Sequence, residues 1–328
     1  MRVKTKLLAA FASIVVLGTL AACGGSSDSK SASSGPTKLT VGIAPNTSTL
    51  GFFNAIEGGY FAKAGLEVKA VPLETGSQAV PLLLNGQFQF SFIDSPSVAF
   101  ANVKGIKMKM VAGAQYMADS GPTADGIIVA ADSGIKTPAD LVGKTVAVSG
   151  VSSTSAISLR RTVHKAGGDD KKVKMVELPA SSMADAVKTG KIDAALLYEP
   201  FVSQSVAGGL RLLIHPSEYA TPGLLTTGFA ALDAYLGKNT ATAKAFVDAV
   251  NDATQEVLDS IKGDKALVKS LLGKYTKVPP AAADNMVLPT FKPGPLVVSG
   301  IQVALDSLLE YGDLDAPLRA QDLIWDGK

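Results

Sequence analysis

The residues of this sequence that could do chemistry are few and lie far apart along the chain. It has one cysteine, Cys23, and two histidines, His164 and His215. A single cysteine cannot form a disulfide within the chain, and neither histidine has a second metal-type residue at ligand spacing. No serine, histidine and aspartate occur in an order that suggests nucleophilic catalysis. The sequence therefore predicts no catalytic residue, no metal site and no cofactor.

Small hydroxyl and amide side chains cluster in short loops that follow predicted strands. In open α/β sheets a ligand binds beyond the carboxyl ends of the strands, which is where these loops lie. A Ser- or Gly-rich loop that leads into a helix offers unpaired backbone N–H donors and the positive end of the helix dipole, so it favours a polar or anionic ligand. For each single hydroxyl, the alternative is an ordinary helix N-cap. The loops are Ala44–Gly51, Asp94–Ser95, Ser149–Thr154, Pro179–Ser182 and Tyr198–Pro200.

Two carboxylates in these loops, Asp94 and Glu199, change the ligand charge that we expect. A carboxylate beside an anion is unfavourable unless the ligand also carries a cation or a hydrogen-bond donor nearby. The pair therefore favours a zwitterion, an amine or a donor-rich ring over nitrate. The alternative is that both acids are solvated or cap helices.

Arginines and aromatic residues near the loops indicate less about the ligand. No loop contains an arginine for bidentate capture of a carboxylate, and Arg160 and Arg161 lie further along a predicted helix, where we expect them to face solvent. Phe53, Tyr116 and Tyr198 could stack on a flat ligand. Aromatic residues near an apolar core more often pack within it, and this alternative stays open.

Strand-like runs alternate with helical runs up to residue 231, and only helical runs follow. Leu39, Val41 and Ile43 alternate with polar or small residues, as do Phe88, Phe90 and Phe92, which is typical of strands. The alternation predicts an α/β protein with two lobes, each a doubly wound mixed sheet flanked by helices. The helical C-terminal tail is expected to pack on the first lobe.

The same pattern predicts where the chain passes between the lobes. Lobe 1 should comprise residues 37–128 and 228–328, and lobe 2 residues 129–227. The chain should cross to lobe 2 near Gly126–Ala131 and return near Thr226–Ala231.

The amino terminus is typical of an export signal. Arg2, Lys4 and Lys6 precede an apolar run, Leu7–Leu20, that is shorter than the ~20 residues of a membrane-spanning helix. The run ends in Leu20–Cys23, which resembles the bacterial lipobox, in which the cysteine is lipidated and becomes the new amino terminus. The alternative is an ordinary signal peptide that contains a cysteine.

We therefore expect residues 1–22 to be a lipoprotein signal peptide and Cys23 to be lipidated. The Gly/Ser-rich run that follows, up to residue 36, is expected to be a flexible tether. The protein would then be anchored on the outward-facing side of a bacterial cell membrane.

The overall composition excludes two classes of protein. Hydrophobic residues make up 47% of the chain and charged residues 18%, which is too apolar for a disordered chain. The formal net charge is +2, and the chain has no long basic run, so we expect no nucleic-acid partner.

Four segments resemble the solute-binding proteins of bacterial ABC importers, in the branch for nitrate, sulfonates, taurine and thiamine-precursor pyrimidines. They are Asn54–Val68, Leu82–Asp94, Gly134–Ser149 and Lys188–Ala195. The similarity covers about residues 38–235 and is weaker in the helical tail. It implies a hinged, two-lobed periplasmic-binding-protein-like fold of type II, present as a monomer, that closes on a small solute and delivers it to an ABC permease.

The resemblance also implies which loops contact the solute. Family contacts come from the loops after the first and third strands of lobe 1 and from the Ser-rich loop of lobe 2. Carried over residue by residue, these are Thr47, Ser48, Thr49, Ser95, Ser152, Ser153 and Thr154. Two other functions stay open: a surface lipoprotein that senses a ligand, and an enzyme on the same fold. Relatives that do chemistry use His and Cys, and the only cysteine here lies in the predicted lipobox.

Overall fold

Strands and helices alternate along the chain in the computed structural model, which describes residues 35–73, 75–216 and 223–328. The predicted signal peptide, Cys23 and the tether as far as residue 34 lie outside the described residues. The strands are β1 (Thr37–Ile43), β2 (Leu66–Pro72), β3 (Phe90–Ile93), β4 (Met108–Tyr116), β5 (Asp125–Ala130), β6 (Thr145–Val148), β7 (Lys174–Glu177), β8 (Ala194–Tyr198), β9 (Leu210–Ile214) and β10 (Leu225–Leu232).

The helices lie between these strands and after them. They are α1 (Leu50–Glu57), α2 (Tyr60–Lys63), α3 (Ala79–Leu84), α4 (Ser95–Val103), α5 (Thr154–Lys165), α6 (Ala180–Lys188), α7 (Phe201–Ala207), α8 (Asp233–Lys238), α9 (Thr240–Lys262), α10 (Ala266–Thr276), α11 (Pro280–Ala283) and α12 (Val298–Glu310). α1 and α2 are separate helices, because Gly59 adopts a left-handed conformation (φ 72°) that ends the first.

Two five-stranded sheets share one strand order. The first runs β2-β1-β3-β10-β4 and the second β7-β6-β8-β5-β9. In each sheet four strands run in the same direction, and the remaining strand, β10 or β5, pairs antiparallel with its two neighbours. The mixed α/β fold predicted from the sequence is therefore confirmed.

Each sheet is the centre of one lobe. Phe90 and Phe229 of the first sheet pack against Phe52 of α1 and Phe246 of α9, and the Phe90 and Phe246 rings stack at 4.1 Å. On its other face the first sheet packs against α12 through Ile301. The helical tail thus packs on lobe 1.

The second sheet is buried on both faces, because successive side chains of a strand point to opposite sides. Ile127 and Val129 of β5 belong to one apolar cluster, while Ile128 between them belongs to another.

The lobe boundaries stay predictions, and sheet membership favours a small shift of both. The expected limits, 128 and 227, fall inside β5 and β10, and each of these strands belongs whole to one sheet. Residues 117–124 form one connection between the sheets, and residues 215–216 and 223–224 are the described parts of the other. Within the described residues these connections touch, since the N–H of Met117 donates to the backbone oxygen of Leu224 (2.7 Å) and the N–H of Gly223 donates to that of Met117 (3.2 Å).

In the part of the chain that the structure describes, no helix is both long enough and apolar enough to cross a membrane. Among the same residues, no three His, Cys, Asp or Glu side chains come together as metal ligands.

Candidate ligand-binding site

A cavity of about 480 Å³ lies between the two lobes at the carboxyl ends of the strands. Lobe 1 contributes the loops after β1, β2 and β3, and Thr227 of β10. Lobe 2 contributes Ser149 at the end of β6, the loop after β7, and residues after β8. A third wall, Tyr275–Lys277, comes from the end of α10. Pockets for small organic molecules have volumes of roughly 300–1,000 Å³, so the cavity fits one such molecule.

The loop after β1 is held in place by its own hydroxyl and amide groups. Asn46 Oδ1 accepts a hydrogen bond from the backbone N–H of Ser48 (2.9 Å), and Thr49 Oγ1 donates to the backbone oxygen of Ala44 (2.9 Å). Thr47 donates through both its N–H (3.1 Å) and its hydroxyl (3.0 Å) to the backbone oxygen of Glu199 in lobe 2. Of the three predicted residues in this loop, Ser48 lines the cavity. Thr47 and Thr49 shape the loop.

Asp94 lines the cavity and caps α4. Its Oδ1 accepts a hydrogen bond from the backbone N–H of Ser97 (2.8 Å). Asp94 is therefore the N-cap residue, and Ser95 is the first residue of the helix. Burial raises the pKa of the Asp94 carboxyl to about 6, although the N–H groups of Ser97 and of Thr154 across the cleft act to lower it.

Asp94 thus lies where the amino-terminal ends of α4 and α5 meet. The Ser95 hydroxyl of α4 and the Thr154 hydroxyl of α5 are buried, and neither has a hydrogen-bond partner among the described residues. The same holds for the hydroxyl of Thr227, which lines the cavity. Ser95 and Thr154 do not line the cavity. Buried hydroxyls are normally hydrogen-bonded, so the unpaired hydroxyl of Thr227 is suited to a bound molecule.

The Ser-rich loop of lobe 2 uses its hydroxyls internally. Ser153 donates to the backbone oxygen of Gly150 (2.6 Å) and pairs with Ser155 (2.7 Å). Ser149, which lines the cavity, also pairs with Ser155 (2.9 Å). Ser152 is exposed and does not line the cavity.

Tyr198 is the last residue of β8 and Glu199 follows it, and the two have different surroundings. Tyr198 lines the cavity, and burial together with the nearby carboxylates of Asp125 and Asp94 raises the pKa of its hydroxyl. Glu199 does not line the cavity. Its carboxylate accepts hydrogen bonds from the hydroxyl (2.6 Å) and the N–H (3.0 Å) of Ser203, which lies in the first turn of α7. Burial raises the pKa of Glu199, and the bonds from Ser203 oppose this.

The two other predicted stacking residues do not line the cavity. Phe53 lies beneath the cavity wall, where its ring stacks on Tyr275 at 3.8 Å and 12°. Tyr116 is buried in the core of lobe 1.

The expectation that Arg160 and Arg161 face solvent is wrong. Both are half-buried, since Arg160 bonds to Asp313 (2.8 Å) and Arg161 to Ser307 (2.8 Å), both in lobe 1. The two arginines are half-buried because α5 packs against α12, which is distant along the chain. The local sequence does not show this packing.

The model of one protein family matches residues 46–260 of the chain, which is more than half of its length. The family is described as NMT1/THI5 like. The chain belongs to the NMT1/THI5-like family.

Two relatives of this NMT1/THI5-like protein carry names that describe a ligand. The formylaminopyrimidine-binding protein of Halalkalibacterium halodurans is 28% identical over 152 residues, which is 46% of this chain and 44% of that protein. The putative aliphatic sulfonates-binding protein of Bacillus subtilis is 27% identical over 236 residues, 69% of this chain and 68% of that protein. The first match thus spans less than half of its relative.

Solved structures have the same fold. The alkanesulfonate-binding protein SsuA of Xanthomonas axonopodis pv. citri, solved with MOPS bound, aligns with a TM-score of 0.73 at 20% identity over 89% of this chain and 99% of that one. The NMT1/THI5-like protein therefore has the fold of the solute-binding proteins of ABC importers.

Sequence reasoning missed the third wall of the cavity. Tyr275, Thr276 and Lys277 lie beyond residues 46–260 and follow no strand, so neither the family resemblance nor the strand-end rule points to them. Lys277 contributes a positive charge to the cavity. Among the described residues that line the cavity, it is the only cation and Asp94 is the only carboxylate.

Proposed function

We propose that this NMT1/THI5-like protein is the extracytoplasmic solute-binding component of an ABC importer. Its solute is a flat ring with hydrogen-bond donors, of the aminopyrimidine class. The family, the two-lobed fold and the interlobe cavity support solute binding. The position of Asp94 supports the choice of solute.

The argument for the solute rests on which group occupies the anion-binding position. The amino-terminal ends of two helices would normally attract an anionic ligand. Here the carboxylate of Asp94 lies at that place, bonded to the N–H of Ser97 and near that of Thr154. A sulfonate at the same position would be repelled by Asp94 and would compete with it for the same donors. An amino group or a ring N–H would instead donate to Asp94.

The walls of the cavity fit a flat molecule. Tyr198 and Phe201 line it from lobe 2 and Tyr275 from the end of α10. Aromatic side chains stack favourably on flat rings. The unpaired hydroxyl of Thr227, which lines the cavity, would be available to a ring nitrogen or substituent.

A second candidate is taurine or another amino sulfonate, which Lys277 favours. Its ammonium group would pair with Asp94 and its sulfonate with Lys277. The name of the Bacillus subtilis relative also points to sulfonates.

The protein binds its solute without converting it chemically. The solute is captured when the lobes close on it, because it favours the state in which it contacts both lobes. We propose that the protein acts as a lipid-anchored monomer with an ABC permease as partner. Fatty-acid labelling of the wild type and of Cys23→Ala tests the anchor: only the wild type should be labelled.

Calorimetric titration with a hydroxymethyl aminopyrimidine, taurine and ethanesulfonate tests the solute. Asp94→Asn keeps a side chain suited to an N-cap and removes the charge. It should weaken aminopyrimidine binding about tenfold, as expected for loss of a charged hydrogen bond, and leave ethanesulfonate unchanged or tighter.

Glu199→Gln is the matched control and should leave all three affinities unchanged, since its carboxylate bonds to Ser203. A wild-type preference for ethanesulfonate would contradict the aminopyrimidine assignment. Turnover of any bound probe, measured by mass spectrometry, would contradict the binding function.

A further inference from the structure

The aromatic wall of the cavity is held from behind by one face of α1. Phe53 and Glu57 are four residues apart, so both side chains lie on the same side of this helix. The Phe53 ring stacks on the Tyr275 ring with centroids 3.8 Å apart and planes within 12°. Glu57 Oε1 accepts a hydrogen bond from the Tyr275 hydroxyl. Tyr275 is therefore held both at its ring face and at its far end.

Glu57 also holds the residue before Tyr275. Its Oε2 accepts a hydrogen bond from Lys274 Nζ at 2.6 Å. The pKa of Glu57 is lowered by its hydrogen bonds from Lys274 and Tyr275, so the carboxylate is ionised at neutral pH. One side chain thus fixes two consecutive residues at the end of α10, immediately before the cavity-lining Thr276 and Lys277.

The position of α1 links this wall to another part of the cavity. The loop that precedes α1 lines the cavity through Asn46 and Ser48, and the last residue of α1 is Glu57. The same short helix therefore connects two walls. A platform that is rigid before the ligand arrives loses less conformational freedom on binding, and this strengthens binding of ligands that match its shape.

We propose that Glu57 is a positioning residue for solute selection, which together with Phe53 holds Tyr275 as a preformed platform for a flat solute. This inference rests on the proposed solute-binding function. Glu57 does not line the cavity, so it acts through Tyr275. A flat ring gains from a fixed platform along its whole face, whereas taurine has no ring to stack. Glu57 therefore sets the preference between the two classes of solute.

Glu256 provides a matched control for this role. Its carboxylate accepts hydrogen bonds from a tyrosine hydroxyl, Tyr60 (2.9 Å), and from Asn54 Nδ2 (2.8 Å). Neither of these partners lines the cavity. Glu57→Ala and Glu256→Ala should both lower the melting temperature.

Only Glu57→Ala should change solute selection. It should weaken binding of a hydroxymethyl aminopyrimidine about five- to tenfold, because the Tyr275 side chain would then have to be ordered on binding, and change taurine binding by less than about twofold. Glu57→Gln keeps an oxygen acceptor for Tyr275 and should restore most of the affinity. In a Tyr275→Phe background, Glu57→Ala should add little, because the two residues act as one unit.

A second measurement needs no ligand. The Tyr275 ring as a whole, followed by NMR relaxation of protein with labelled tyrosine rings, should become more mobile in Glu57→Ala and stay unchanged in Glu256→Ala. Equal losses of affinity in both variants, or equal losses for both probes in Glu57→Ala, would overturn the inference, as would unchanged ring mobility. A wild type that binds none of the probes would instead contradict the proposed function, and the mobility of the Tyr275 ring would still decide the role of Glu57.

Discussion

Ser77 of lobe 1 donates a hydrogen bond to Glu177 of lobe 2, with 2.6 Å between Oγ and Oε1. Ser77 follows β2, and Glu177 is the last residue of β7. These two strands are the corresponding edge strands of the two sheets. Their neighbours Gly76 and Leu178 line the cavity. The bond therefore joins the lobes at the rim of the cavity, where an opening motion would break it.

Weakening this bond should lower solute affinity with little loss of stability. Ser77→Ala removes an exposed hydrogen bond to a carboxylate, which we expect to be worth roughly 0.5–1 kcal/mol, or a two- to fivefold change in affinity. Calorimetry gives the affinity, and small-angle scattering should show a larger average radius for the variant without solute. Glu67→Gln, which affects an exposed ion pair with Lys38 inside lobe 1, is the control and should change neither quantity.

The burial of Asp94 should give the free protein a measurable pH dependence. Its pKa is about 6 in the folded protein against an ordinary value of 3.8, so the folded state binds this proton more tightly than the unfolded state. The contribution of Asp94 to the free energy of unfolding therefore falls as pH rises from about 4 to about 6.

Asp94→Asn removes this contribution. Relative to the wild type, the variant should gain up to about 3 kcal/mol of stability between pH 4 and pH 7, measured by urea unfolding. Asp125, whose pKa burial also raises to about 6, is present in both proteins and cancels in the difference. Parallel stability curves would contradict the prediction.

Asp140 is a control, because its pKa is shifted in the opposite direction to that of Asp94. Hydrogen bonds from the N–H groups of Lys136 and Thr137 lower its pKa. The stability from Asp140 is therefore lost only as pH falls below about 4. Asp140→Asn should leave the pH 4–7 range unchanged.

The sequence was sufficient to predict the α/β fold, because the local residue patterns of strands, helices and turns recur along both lobes. The alternation in Leu39–Ile43 and the Gly and Pro residues between elements carry that information without long-range knowledge. The strand-end rule also indicated Ser48, Asp94 and Tyr198, which the structure places around one cavity.

The rest of the site depends on contacts between distant parts of the chain. Whether the Glu199 carboxylate faces a ligand or caps α7 depends on Ser203, and both arrangements agree with the sequence. Tyr275 lines the cavity because α10 packs on α1, more than two hundred residues away along the chain. No local pattern contains that information.

Gly51 should be required for the packing of α1 against α9. A Cβ atom at Gly51 would lie 2.9 Å from Thr254 Cβ and 3.2 Å from Thr254 Cα, closer than the helices allow. Gly51→Ala should lower the free energy of unfolding by about 1–3 kcal/mol through this overpacking. Gly237→Ala in α8, where a Cβ would meet no atom within 4 Å, is the control and should be neutral or slightly stabilising. Equal effects of the two variants in urea unfolding would contradict the prediction.

The contact of α5 with lobe 1 should act on stability and leave solute affinity unchanged. Arg160 pairs with Asp313 at 2.8 Å, with side chains only 22% and 30% exposed, and Ile157 of the same helix is buried in the core of lobe 1. A contact that includes buried apolar surface is costly to break, so we expect it to persist when the lobes open.

Asp313→Asn should therefore lower the free energy of unfolding by about 1 kcal/mol, because it weakens a half-buried charged pair, and leave calorimetric solute affinity within about twofold of the wild type. Asp322→Asn, in the exposed pair with Arg319, should change neither quantity. Ser77→Ala and Asp313→Asn thus have opposite expected results: the first weakens binding and the second weakens folding. If Asp313→Asn reduced affinity as much as Ser77→Ala does, the α5 contact would break on opening, and lobe closure would involve both sides of the cleft.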